Sequence, residues 1–246
     1  MNKINSNIYV LCGGARTFLE CFDSCYTNVI SKLFNNNKNN ETHILFYLKL
    51  TDPGPKGQKK WNFTYKDNNE TDILNKINEL KRKCPRIKIY IKIIKNNEID
   101  DNELLSQVKN RKKYIGFLSE NKKLLRALHF CYNLERCGQI IKEIENENEI
   151  NFNYYVFIRP DLYFTEQCEN INKYNNQIIT LGEGPNNFNN DHLAIIPKEH
   201  FDNFFFDRMK LIRNNDDKCF STSEKIYWET INYEVKKIGK YFICRN

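Results

Sequence analysis

Any fold for this chain has to bury the run Tyr154-Tyr155-Val156-Phe157-Ile158, which is unbroken by polar residues and stops abruptly at Arg159-Pro160-Asp161. The run has strand composition without the alternation of a strand that keeps one wet face, so it fits a central strand covered on both faces. Proline has no N–H to give to a sheet ladder, so the sheet ends there, with a cation (Arg159) and a carboxylate (Asp161) at the strand's carboxyl edge. Open α/β sheets bind ligands at that edge. A surface ion pair at a strand end is the plainer account of the same three residues.

A second buried strand, Ile8-Tyr9-Val10-Leu11-Cys12, runs straight into Gly13-Gly14-Ala15-Arg16-Thr17-Phe18, after which Leu19, Phe22 and Val29-Ile30 carry helical spacing. Strand, glycine turn and helix in that order let backbone N–H groups approach a diphosphate, aim a helix amino terminus at it, and offer Arg16 as a partner. The turn lacks the Gly-Lys-Ser/Thr ending of a Walker loop and is not a full dinucleotide fingerprint; a plain tight turn is the alternative.

Further along, Thr42–Leu50 reads as a strand and residues 51–71 as a long loop with aromatic residues Trp61, Phe63 and Tyr65, either an insertion or a flap over a ligand. Asp72–Cys84 reads as an amphipathic helix stopped by Pro85, and Ile87–Ile94, which alternates apolar with basic, as a strand near a sheet edge. A helix or loop around Leu104, Leu105 and Val108 precedes the longest helix, from a cap at Ser119 to Glu147, with Ala127, Phe130, Leu134, Cys137, Ile141 and Ile144 on one stripe. That helix delivers the chain into the Tyr154 strand as a crossover. Gln177–Leu181 is read as a strand, Gly182–Asn190 as a loop, Asp191–Pro197 as a strand, Lys198–Ile212 and Ser221–Lys237 as helices, and Tyr241–Cys244 as a last strand. Asp191 and His192 follow a loop and open a strand, so they face opposite ways and do not share one ion.

A length of 246 residues suits one α/β domain, and 28% charged with 40% hydrophobic residues is globular. The net charge of +7 favours anionic ligands, but the cations are spread along the chain, so a phosphate-bearing small molecule is expected rather than nucleic acid. Nine cysteines in irregular spacing without a Cys-x-x-Cys pair read as reduced, buried thiols. Ile8–Cys12 is too short for a signal peptide and nothing reaches a membrane-spanning length, so a cytoplasmic protein is expected.

The glycine turn Gly13-Gly14-Ala15-Arg16-Thr17, the long helix leading to Tyr155-Val156-Phe157-Ile158-Arg159-Pro160-Asp161, and Asn190-Asp191-His192-Leu193-Ala194-Ile195-Ile196 stand in one order that resembles the GT-A fold of nucleotide-sugar-dependent glycosyltransferases. The likeness spans Ile8 to Tyr233 and is nearest to a subgroup of large DNA viruses and plants in which Arg-x-Asp replaces Asp-x-Asp. It implies an α/β fold: a single GT-A-like (Rossmann-like) domain with a central, mostly parallel sheet flanked by helices. It also implies transfer of a sugar from a nucleotide-diphosphate donor to a hydroxyl of a glycan or protein-linked sugar, in the cytoplasm, or in the host cytoplasm or virion if viral. Gly13, Gly14, Arg16, Thr17, Arg159 and Asp161 would then bind the nucleotide-sugar, and Asp161 would hold Mn²⁺ or Mg²⁺ on the diphosphate. Asp191 or Glu224 would be the base of an inverting reaction; a retaining one needs none. With one carboxylate where the family has two, Arg159 itself is an alternative source of positive charge. A nucleotidyltransferase and a non-catalytic nucleotide-sugar-binding protein are the competing functions.

Overall fold

The computed structural model describes residues 6–33, 41–50, 69–95, 98–168, 178–183, 188–214, 217–228, 233–236 and 241–243. Most of the 51–71 loop, residues 51–68, lies outside that set. Nine strands occur among the described residues: β1 (Ser6–Gly14), β2 (Glu41–Lys49), β3 (Lys88–Ile94), β4 (Phe152–Ile158), β5 (Leu162–Phe164), β6 (Ile178–Glu183), β7 (Phe188–Pro197), β8 (Tyr233–Lys236) and β9 (Tyr241–Ile243). The helices are α1 (Phe18–Cys25), α2 (Glu70–Lys83), α3 (Asp101–Ser106), α4 (Asn121–Glu147), α5 (Phe201–Phe205), α6 (Asp207–Asn214) and α7 (Ser223–Trp228).

Seven strands form one mixed sheet in the order β3-β2-β1-β4-β7-β6-β8, and β5 pairs with β9 separately. β7 runs against both β4 and β6, while the remaining pairings in the large sheet are parallel. The expected α/β class with a mostly parallel sheet is therefore present. The sheet is covered on both faces, which is why its central strands are apolar throughout. On one face Ile8, Val10, Leu45, Phe157 and Ala194 pack under α4, α5 and α6; on the other Tyr9, Leu11, Phe46, Val156 and Ile195 pack under α1 and α2. β3 lies at the sheet edge, as expected, and keeps Lys88 and Lys92 exposed; Ile91, on the opposite face, is exposed as well, which its alternation does not predict.

Local chemistry sets the helix ends. Asn69 accepts from the Asp72 N–H as the α2 cap, with Glu70 and Asp72 in the first turn and Lys81, Arg82 and Lys83 in the last. Gly138 lets α4 and α5 approach, since a Cβ there would lie 2.8 Å from Phe205 Cβ and from Phe206 Cζ.

Several expectations are corrected. The cap of α4 is Glu120; Ser119 instead donates its hydroxyl to the Gly116 carbonyl, closing the preceding turn. Within the expected loop Gly182–Asn190, residues 182–183 and 188–190 are strand, because the ladder between β6 and β7 carries on through Gly182↔Asn189 and Glu183↔Phe188; residues 184–187 lie outside the described residues. The helix expected over Lys198–Ile212 is a short 3₁₀ turn followed by α5 and α6, broken at Phe206, and that expected over Ser221–Lys237 gives way to β8.

Candidate functional site

β1 and β4 lie side by side, and from β1 the chain turns outward through α1 to β2 while β4 hands on to β7 on its other side. This is a topological switch point, where the loops after neighbouring strands diverge and leave a crevice at the carboxyl edge. The glycine turn leaves from one of these strands and Arg159-Pro160-Asp161 from the other.

The two motifs touch. Gly13 has φ +145°, a conformation that disfavours every side chain, and a Cβ on it would stand 3.1 Å from Pro160 Cδ. The glycine is thus explained by the close approach of β1 to Pro160. The strand also runs further than expected: Gly13 and Gly14 still pair with Leu48 and Lys49, and the Ala15 N–H donates to the Lys49 carbonyl at 2.9 Å. The turn itself is Ala15–Thr17, with Arg16 exposed and Thr17 buried at the start of α1.

Beyond β4, Arg159 and Asp161 form a two-pronged ion pair: Nε donates to Oδ1 at 3.0 Å and Nη2 to Oδ2 at 2.6 Å. The Asp161 side chain is 5% exposed and that of Arg159 18%, so this is no solvated surface pair. Such a fork fixes the plane of the guanidinium. The corner is pinned from behind by two residues the sequence reading passed over. Ser24 Oγ accepts from the Phe164 N–H at 3.0 Å, and Asn28 Nδ2 donates to the Phe164 carbonyl at 2.8 Å, so α1 and the turn after it hold β5. A polar residue on an otherwise apolar helix face was the only available signal for either.

The Arg159 N–H donates to the His192 carbonyl at 2.8 Å, which brings the backbone of Asp191 and His192 to the same edge. His192 is buried. The side chains of Asp191 and Glu224 lie outside the described residues; their backbones belong to β7 and α7. Both Asp161 oxygens accept from Arg159, and no group of three His, Cys, Asp or Glu side chains able to hold a metal occurs among the described residues.

Thiol chemistry is not built in here. None of the eight described cysteines is in a disulfide. Burial pushes the Cys168 thiol, which follows β5, up to about 12, and raises Cys25 on α1 as well, with Cys168 beside it adding to the effect. Both stay protonated and pack. No helix is long and apolar enough to cross a membrane among the described residues.

No protein-family model matches the chain, and no curated protein matches it. Among solved structures it is similar to the glycosyltransferase GlyE of Streptococcus pneumoniae, at 6% identity and TM-score 0.40 over 96% of this chain and 45% of that one. It is also similar to the bifunctional glycosyltransferase WbbM (8%, TM-score 0.44, 97% of this chain and 39% of that one) and to mouse xyloside xylosyltransferase 1 (9%, 0.45, 94% and 84%). The chain spans less than half the length of the first two. At such scores these likenesses are no argument about activity, which has to rest on the site.

Proposed function

We propose that the chain is a glycosyltransferase that moves a sugar from a nucleoside-diphosphate donor to a hydroxyl acceptor. The observation that carries this reading is the contact of Gly13 with Pro160, which sets the start of α1 and the buried Arg159–Asp161 fork on either side of one switch-point crevice. A helix amino terminus and an oriented guanidinium are complementary to a diphosphate, whose negative charge grows as it leaves the sugar. In this scheme Ala15, Arg16 and Thr17 meet the nucleotide phosphates, with Gly13 and Gly14 shaping the approach. Arg159 balances the leaving group's charge, and Asp161 acts as the positioning residue for Arg159. Asp191 or Glu224 takes the acceptor proton if the reaction inverts. No step is routed through a metal ion.

The test is a thermal-shift panel of UDP-, GDP- and CMP-sugars with either Mn²⁺ or a chelator, the single-phosphate CMP donors serving as controls. A donor at a hundred times its Kd stabilises by about 2.7 kcal/mol, which for a chain of this size raises Tm by roughly 5–10 °C. A shift with at least one diphosphate donor in chelator supports the reading; no shift with any donor in either condition refutes it.

A further inference from the structure

Between Lys109 and Arg126 the chain carries seven cations and one acid, Glu120, a local net charge of +6. Cations occur all along the chain, as expected, and residues 81–95 form another basic run, with seven cations and no acid. The stretch from Lys109 to Arg126 holds two of the exposed large hydrophobic residues, Ile115 and Phe117, each about half exposed.

Their exposure is held in place. Tyr114 and Leu118 are buried as anchors, the Ile115 N–H donates to the Phe220 carbonyl at 2.9 Å, and the Phe220 N–H donates to the Lys113 carbonyl at 2.8 Å. Gly116 turns the chain at φ +56°. Lys123 Nζ lies 4.5 Å from the centre of the Phe117 ring. The result is a pinned turn that presents two apolar side chains within a basic field.

The turn stands at the end of the sheet that bears the candidate site. Near its carboxyl end α4 reaches the start of β4, where Glu145 accepts from the Phe152 N–H, and at Cys137 it meets Cys12 near the carboxyl end of β1. Asn121 begins α4 about 24 Å beyond Cys137. The basic turn therefore overhangs the carboxyl edge.

We propose that this segment docks on an anionic phospholipid membrane, with Ile115 and Phe117 seated at the headgroup boundary and the surrounding lysines and arginines against lipid phosphates. An exposed apolar pair within a stretch of seven cations, one of them over the Phe117 ring, fits that interface, where each part alone binds weakly and the two together bind well. Duplex nucleic acid would answer the cations and leave Ile115 without a partner. The inference stands independently of sugar transfer.

Vesicle co-sedimentation of the full chain tests it. The protein sediments with vesicles of phosphatidylcholine and phosphatidylserine, stays in the supernatant with phosphatidylcholine alone, and is released by salt. Lys112→Gln, Lys122→Gln and Arg126→Gln together lower the affinity about a hundredfold, from about fivefold per cation. Ile115→Ser with Phe117→Ser lowers it about tenfold or more, with the fold retained by circular dichroism because Tyr114 and Leu118, not this pair, are the buried anchors of the turn. Failure to sediment with anionic vesicles overturns the proposal. So does loss of binding on removing the cations but not the apolar pair, which is plain charge adhesion. Tight binding of duplex RNA or an acidic protein by a chain that ignores vesicles likewise overturns it.

Discussion

Replacing Asp161 by asparagine tests whether the fork after β4 is the positioning device described. Both carboxylate oxygens accept from one guanidinium, at 3.0 and 2.6 Å, and the pair is largely withdrawn from water, with 5% of the Asp161 side chain and 18% of the Arg159 side chain exposed. An asparagine in its place would keep one acceptor, turn an amide N–H₂ toward a donor and leave a partly buried cation without its counter-charge. Breaking a charge-assisted pair in such a place costs about 3 kcal/mol, a fall in Tm of roughly 6–12 °C in a chain of this length. Arg159→Gln alone leaves a buried carboxylate unbalanced and costs a similar amount. The double variant removes both charges and is less destabilised than the sum of the two by about 2 kcal/mol. Urea unfolding followed by circular dichroism reads all three. In turnover, Asp161→Asn loses about a hundredfold by misplacing the guanidinium, to the same extent with Mn²⁺ and with chelator. Single effects that add to within about 0.5 kcal/mol would mean the two side chains are not coupled, and the positioning role would fall with them.

Gly13→Ala destabilises by about 1–2 kcal/mol from the φ of +145° alone, and more from Pro160; adding Pro160→Ala recovers only the second part, as urea unfolding will show. His43, at the far end of β2, is held below its usual pKa chiefly by burial, with Lys88 adding to the depression while Glu41, 3.4 Å from Nε2, opposes it, and Tyr90 faces Nδ1. The unfolded chain therefore takes up the proton first, and stability falls as pH drops below about 6.5 until the folded imidazole also titrates. His43→Gln flattens that part of a stability–pH profile; an unchanged slope contradicts the assignment. Asp191→Asn or Glu224→Gln, whichever removes the base, keeps donor affinity and loses turnover together with the acidic limb of its pH profile. Parental turnover in both variants across the pH range excludes a base at either position.

The central strands were legible because burial on both faces leaves no alternation to misread, as in Ile8–Cys12 and Tyr154–Ile158, and β3 because its alternation marks an edge. Elsewhere tertiary contacts overrode local preference. Phe188-Asn189-Asn190 has loop composition, yet it continues a ladder with β6 that local sequence does not encode. Phe206, where α5 gives way to α6, lies against Gly138, a contact 68 positions away in sequence. Tyr233-Glu234-Val235-Lys236 did carry a period-2 signal, but it sat inside a stretch with helical composition. At the site, Arg159, Asp161 and the glycines could be picked out by residue type, whereas the fork geometry, the Gly13–Pro160 approach and the Ser24 and Asn28 anchors depend on spacing between distant segments.

The most direct test of sugar transfer at this site is release of nucleoside diphosphate from a sugar donor, followed with and without candidate hydroxyl acceptors, by the parental chain and by Arg159→Gln in parallel. Release should rise with acceptor and fall by at least about a hundredfold in Arg159→Gln, in proportion to lost charge stabilisation at the leaving group. Release at the same rate in both proteins, or donor bound by the parental chain and left intact with every acceptor, would contradict it.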